Sequence, residues 1–345
     1  MKPIMSEERP GLLDGAIWPG ENTRLFGHAE AEAFLAQSYR SGKGHHAILI
    51  EGPEGIGKAT LAFRFANHVL SHPDPETAPE TIGDPDPASS VSRQIASGAS
   101  HNLLHLARPV DEKTGKVKSA ITVDEVRRAG KFFSQTSGTG NWRIVIIDPA
   151  DDMNRNAANA ILKILEEPPK RALFLVLSHA PGRLLPTIRS RCLPLKLAPL
   201  ADDELVAALA HLGISGEGGA VLSAAKGSVG EALKLLNYGG GEIIAAYDEM
   251  LSAEGPTARK AMHRLADALS GRESDTIFDF FVSHVGDDIM NRARAAAGEG
   301  QIAAAERLAR LYSEITERLT ISDGYNLDRK QTIISILADI KQPGL

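Results

Sequence analysis

Two apolar runs that do not alternate place the narrowest limit on how this chain can fold. Residues 143–147 (RIVII) and 172–177 (ALFLVL) carry Ile, Val and Leu at consecutive positions, as strands buried on both faces of a parallel sheet do. Between them, residues 156–167 place Ala157, Ala160, Ile161, Ile164 and Leu165 at helical spacing and stop at Pro168-Pro169, which cannot continue a helix. Neighbouring parallel strands need a crossover, so this pattern predicts a right-handed βαβ unit. Just beyond it, Ile188-Arg189-Ser190-Arg191-Cys192 puts two arginines at the edge of the expected sheet.

A second strand, 45–51 (HHAILIE), runs into Gly52-Pro53-Glu54-Gly55-Ile56-Gly57-Lys58-Ala59-Thr60 and then a helix to about residue 70. The segment fits G-x-x-x-x-G-K in the strand–loop–helix setting that a phosphate-binding loop requires. Glycines let backbone N–H groups turn toward a phosphate, the helix N-terminus adds a favourable field, and Lys58 would reach the β and γ phosphates. Gly52, Pro53, Gly55, Gly57, Lys58, Ala59 and Thr60 are therefore candidate nucleotide-binding residues, joined by Asp148 and Ser178. Asp148 ends an apolar run as a magnesium-holding carboxylate would, and Ser178 ends the next run, where a polar residue can sense a γ-phosphate.

Two departures weaken that site. Ala59 stands where the motif has Ser or Thr for magnesium, and Thr60 is one step round the helix. Pro149 follows Asp148 where an active ATPase of this type carries a glutamate to orient water. Asp151 and Asp152 read as helix-capping or solvated residues. The helix opened by Gly227-Ser228-Val229-Gly230-Glu231 lacks the arginine that such ATPases place near the Gly230 position. The expectation is a vestigial nucleotide site: it can hold ATP, and magnesium enters only with the nucleotide.

The rest of the chain gives the organisation. Residues 1–27 read as an irregular arm and 28–41 as an amphipathic helix. Residues 71–100, rich in Pro, Asp and Ser, read as a loop or partly disordered insertion. A strand is expected at 103–107, a hairpin turn at 111–116, and a helix capped by Thr122 or Asp124 and running to about residue 134. Beyond 198–200 only helices are expected: 202–212, 219–225, 228–236, then a hinge at 237–241. Four or five more cover 242–341, with 302–319 the longest.

The net charge of −6 excludes a surface built throughout to hold nucleic acid, though not a local basic strip. Lys163, Lys170 and Arg171 could meet DNA phosphates, but three scattered bases also make an ordinary solvated face. Cys192 is the lone cysteine, so the chain can form neither an internal disulfide nor a cysteine zinc site. The histidines show no metal spacing. No apolar leader opens the sequence and no run approaches a membrane span, which gives the expectation of a cytoplasmic protein with no membrane partner.

HHAILIEGPEGIGKATLAFRFANHVL, ITVDEVRR, NAANAILKILEEPP and LLPTIRSRCLPLKLAPL are spread across residues 28–200. In this combination the chain resembles the delta-prime family of clamp-loader subunits of bacterial DNA polymerase III, which are AAA+ proteins. The resemblance implies an α/β then all-α chain: an AAA+ P-loop parallel-sheet domain at 1–199, a small helical lid domain at 200–240, and a C-terminal helical collar domain at 241–345. It also implies a stator that hydrolyses no ATP itself and offers Arg191 of Ser190-Arg191-Cys192 to the ATP site of an adjacent subunit. Implied partners are the motor and delta-type subunits, the sliding clamp through the complex, and primed DNA weakly or indirectly. Many relatives carry a four-cysteine zinc module after the P-loop helix; segment 71–100 takes its place here, so no zinc is expected. The competing readings are an active AAA+ ATPase, such as the motor subunit, and a P-loop kinase-like enzyme. The helical second half and the missing substrate motif speak against the latter.

Overall fold

A computed structural model describes residues 11–111, 114–115, 117–134, 140–215, 219–271, 275–325 and 327–341. The chain divides into two compact units, Met1–Glu217 with Ala225–Glu231, and Gly218–Ala224 with Ala232–Leu345.

At the centre of the first unit lies a parallel sheet of five strands, β1 (Ala47–Glu51), β2 (Leu103–Leu106), β3 (Arg143–Ile147), β4 (Ala172–Ser178) and β5 (Leu193–Lys196), in the order β2-β3-β4-β1-β5. Every residue of β1, β3 and β4 is buried, which is why their sequences do not alternate. Successive side chains still point to opposite faces. Ile48, Ile50, Ile144, Ile146, Leu173 and Leu175 pack with α1 (Ala29–Arg40), α2 (Lys58–Ser71) and α3 (Ser90–Ala96). Leu49, Val145, Ile147, Phe174 and Val176 pack with α4 (Val123–Ser134) and α5 (Arg155–Glu166). The Asn154 side chain caps α5 by accepting from Ala157 N–H (2.9 Å). A short turn, α6 (Pro186–Arg189), then leads into β5.

Two expectations about this unit need correction. Residues 71–100 are not a loose insertion. A 3₁₀ turn at Pro75–Thr77 and α3 lie within them, and Ala78, Ile82 and Ile95 are buried in the core against α2. Ser89 caps α3, and Asn67 of α2 donates to Ser92 Oγ (2.9 Å). The apolar residues are few but sit where they are needed, so the polar make-up of the segment misleads. Strand β5 was outside the expected elements. It is a four-residue edge strand containing Pro194, and an edge tolerates the missing donor. At the expected hairpin turn, Val110 and Val117 form an antiparallel bridge and Gly115 N–H donates to Asp111 O (2.8 Å); residues 112, 113 and 116 lie outside the described residues.

Helix α7 (Asp202–His211) belongs to the first unit, and α8 (Gly219–Ala225) and α9 (Val229–Asn237) run across the division. The second unit continues with α10 (Gly240–Ser252), α11 (Gly255–Leu269), α12 (Asp275–Gly298), α13 (Ile302–Gly324) and α14 (Arg329–Ile340). Tyr247, Met250, Leu265, Phe281, Ile289, Leu311, Ile333 and Leu337 form its core. At 24 residues α12 exceeds the 23 of α13, so the helix opened by Ile302 is not the longest. No proline interrupts α12, and its mid-helix Gly286 packs against Tyr312, where a Cβ would stand 3.1 Å from the ring. No described helix is long and apolar enough to cross a membrane.

Candidate functional site

The loop from Gly52 to Gly57 joins the buried β1 to α2 at the C-terminal edge of the sheet. Gly55 and Gly57 have φ of 74° and 107°, a region open to glycine and strained for other residues. At Gly55 the need is doubled, because a Cβ there would meet Ser228 Oγ at 2.5 Å and Gly230 Cα at 2.7 Å. The first turn of α9 thus lies directly on the loop. Ser228 Oγ donates to Glu54 O (2.8 Å), Gly230 N–H donates to Gly55 O (3.1 Å), and His28 Nε2 donates to Ile56 O (2.7 Å).

Lys58 is buried, and its ammonium donates to the carbonyls of Gly52 (2.7 Å) and Pro53. Burial pushes its pKa down to about 8, while Asp148, Glu54 and Asp151 pull in the other direction. Ala59 and Thr60 lie half-buried in the first turn of α2.

Asp148 follows β3 and stands 3.6 Å from the ring of His105 at the end of β2. Ser178 closes β4, fully buried, and its carbonyl accepts from Gly52 N–H (3.2 Å). Its hydroxyl is committed: it donates to Asp151 Oδ1 (2.8 Å). Asp151 also accepts from the backbone N–H of His179 (2.6 Å) and Ala180 (3.4 Å). Asp151 is therefore not a helix cap; half-buried, it ties off the end of β4. Asp152 faces Arg108 (3.1 Å), and burial raises its pKa against the pull of that arginine. Burial and the nearby Lys58 lower the pKa of the His179 ring. The sequence gives Asp151 and Ser228 other roles than these, and gives His179 and His105 none. Asp151, three residues after Asp148, and His179, next to Ser178, carry no signal beyond that proximity.

The structure thus gathers the loop, Lys58, Asp148 and Ser178, and keeps Arg191 apart from them. Arg191 follows α6 and is partly exposed. Its NH2 contacts Glu166 Oε1 at 2.6 Å and its NH1 donates to Thr187 O (2.8 Å). Ser190 is exposed, with Oγ donating to Thr187 O (3.2 Å). Burial pushes the Cys192 thiol up to about 11, so it is an inert packing residue. Lys163 and Lys170 are exposed, while Arg171 donates to Gly140 O (2.5 Å).

The gathered residues do not fit a magnesium-bound triphosphate. Position 59 offers no hydroxyl, and the Ser178 hydroxyl is donated to Asp151. What remains is a glycine turn whose carbonyls from residue 52 to 56 all accept hydrogen bonds from within the first unit. Such a loop is suited to rigidity.

Residues 27–201 match the family described as "DNA polymerase III, delta subunit". The chain is 38% identical over 147 residues to DNA polymerase III subunit delta' of Pseudomonas aeruginosa, covering 43% of this chain and 41% of that protein. It is 30% identical over 172 residues to subunit delta' of Escherichia coli, covering 50% and 48%. The tau subunit of the same polymerase from Escherichia coli is 26% identical over 273 residues, 77% of this chain and 39% of that protein. Each match spans less than half of the relative's length.

Proposed function

Because the chain belongs to the DNA polymerase III delta subunit family, we propose that it is a clamp-loader subunit that hydrolyses no ATP and lends Arg191 to the nucleotide site of a neighbouring subunit. It works in the cytoplasm, with motor and delta-type subunits as neighbours, and helps them place the sliding clamp on primed DNA. The AAA+ domain is assigned to 1–199, the lid to 200–240 and the collar to 241–345.

One contrast carries the reading: the chain's own site has Ala59 in place of a hydroxyl and Pro149 after Asp148, whereas Arg191 sits partly exposed after the short turn that leads into β5. A guanidinium is permanently charged and grips phosphate oxygens through two donors at once. The active-ATPase reading draws on the retained Lys58 and on the match to the tau subunit. Ala59 and Pro149 speak against it.

One reconstitution tests both. In a complex assembled with the motor and delta-type subunits, Arg191→Ala should lower turnover at the site it serves by about 10³-fold or more. The drop in total DNA-stimulated ATPase would be smaller, since other sites keep their own arginines. Lys58→Ala in this chain should leave turnover within about twofold, far below the ~1.4 kcal/mol that a tenfold change represents. A loss with Lys58→Ala and none with Arg191→Ala would make the chain a motor subunit instead.

A further inference from the structure

The contact between Arg191 and Glu166 bears on when the arginine can act. Glu166 is the last residue of α5, followed by Glu167 and the Pro168-Pro169 stop. Two adjacent carboxylates at a helix C-terminus face the negative end of its dipole, so a cation there is favoured. The position of this helix end is fixed by His46, whose Nε2 donates to Leu165 O (2.9 Å). Arg191 reaches it from 25 residues further along the chain.

The guanidinium is held at both of its terminal nitrogens, NH2 on Glu166 (2.6 Å) and NH1 on the Thr187 carbonyl (2.8 Å). This is the pair of nitrogens that a forked grip on phosphate would use. The side chains are 32% and 47% exposed, and an ion pair that open to water holds by only about 0–1 kcal/mol. It is strong enough to choose a resting rotamer and weak enough for a multiply charged anion to displace.

We propose that Glu166 is a holding residue for Arg191, a carboxylate occupying the guanidinium in place of phosphate until a neighbouring subunit presents its nucleotide. This rests on the arginine-finger reading above and adds a competitor to it. The opposite role, in which Glu166 presents the arginine in its working pose, predicts the opposite sign.

The test is kinetic, in the full reconstituted complex, with Glu166→Gln, Arg191→Ala, the double variant, and Glu167→Gln as the neighbouring control. Weakening the hold should raise kcat/KM for ATP about two- to fivefold, the size of a half-exposed ion pair. The gain should be absent in the Arg191→Ala background and absent with Glu167→Gln. A Glu166→Gln complex that is unchanged or slower overturns the proposal, as does an equal gain without Arg191. If Arg191→Ala costs activity while Glu166→Gln does nothing, only the holding role falls. If Arg191→Ala is itself without effect, the finger reading falls and the holding role with it.

Discussion

His68 lies buried in α2 with its ring 6.0 Å from Tyr39 and 5.2 Å from His72. Its Nε2 has no hydrogen-bond partner among the described residues. Burial first, and the neighbouring His72 second, push its pKa from the ordinary 6.5 down to about 4. Between those values the unfolded chain binds a proton that the folded chain refuses, so stability rises with pH across the window and is lost as pH falls from 6.5 toward 4. His179 shifts in the same direction and adds to the trend. Replacing His68 with Phe should keep the aromatic packing and remove its share of the acid loss. Unfolding temperatures measured at pH 7, 5.5 and 4.5 should therefore fall less steeply in His68→Phe than in the parent; parallel curves would show that this ring does not titrate on unfolding. At this scale the sequence was only partly readable. The loop motif points to Lys58 and the ends of two apolar runs to Asp148 and Ser178, and the structure groups them. That Ser178 spends its hydroxyl on Asp151 is a tertiary fact, since neither residue's local pattern encodes a partner 27 positions away.

Among the elements, the buried parallel strands were legible because burial on both faces leaves runs of Ile, Val and Leu that no exposed segment needs. Helices α1, α4 and α5 were legible from their period and stops. Segment 71–100 was not, because composition averages over a stretch in which three apolar positions do the packing. That difference is measurable. Ile95 of α3 is 2% exposed and belongs to the core shared with α2. Ile95→Ala should cost about 2–4 kcal/mol, as truncation of a buried aliphatic side chain does, read as a lower urea midpoint with an unchanged slope. A surface loop would tolerate the change within about 0.5 kcal/mol, and such a result would return the segment to a mere insertion. Strand β5 escaped notice for a related reason: with Pro194 and Lys196 exposed at the sheet edge, only Leu193 and Leu195 carry its signal.

For the whole molecule the question is what the second unit is for. Its own core is complete, with Tyr247, Phe281, Ile289 and Leu337 all buried. It nevertheless leaves Ile302 65%, Ile321 44%, Tyr325 78% and Leu327 53% exposed. Three of these, Ile321, Tyr325 and Leu327, gather at the end of α13 and just beyond it. Scattered apolar residues on a surface need no explanation, but clustered ones with an aromatic among them mark association surfaces. This fits the collar role proposed for residues 241–345, in which subunits of the complex hold one another through this unit. Substituting Tyr325 and Leu327 by Asp separates that role from folding. Neither side chain is part of the core, so thermal unfolding of the isolated variant should stay within about 0.5 kcal/mol of the parent. Incorporation into the complex with the motor and delta-type subunits should fall by at least tenfold, about 1.4 kcal/mol, since desolvated carboxylates at an interface go unpaired. Size-exclusion chromatography of the mixed subunits reads the loss directly. Normal incorporation of a folded double variant would move the assembly surface elsewhere on the chain, and the exposed end of α13 would be ordinary surface.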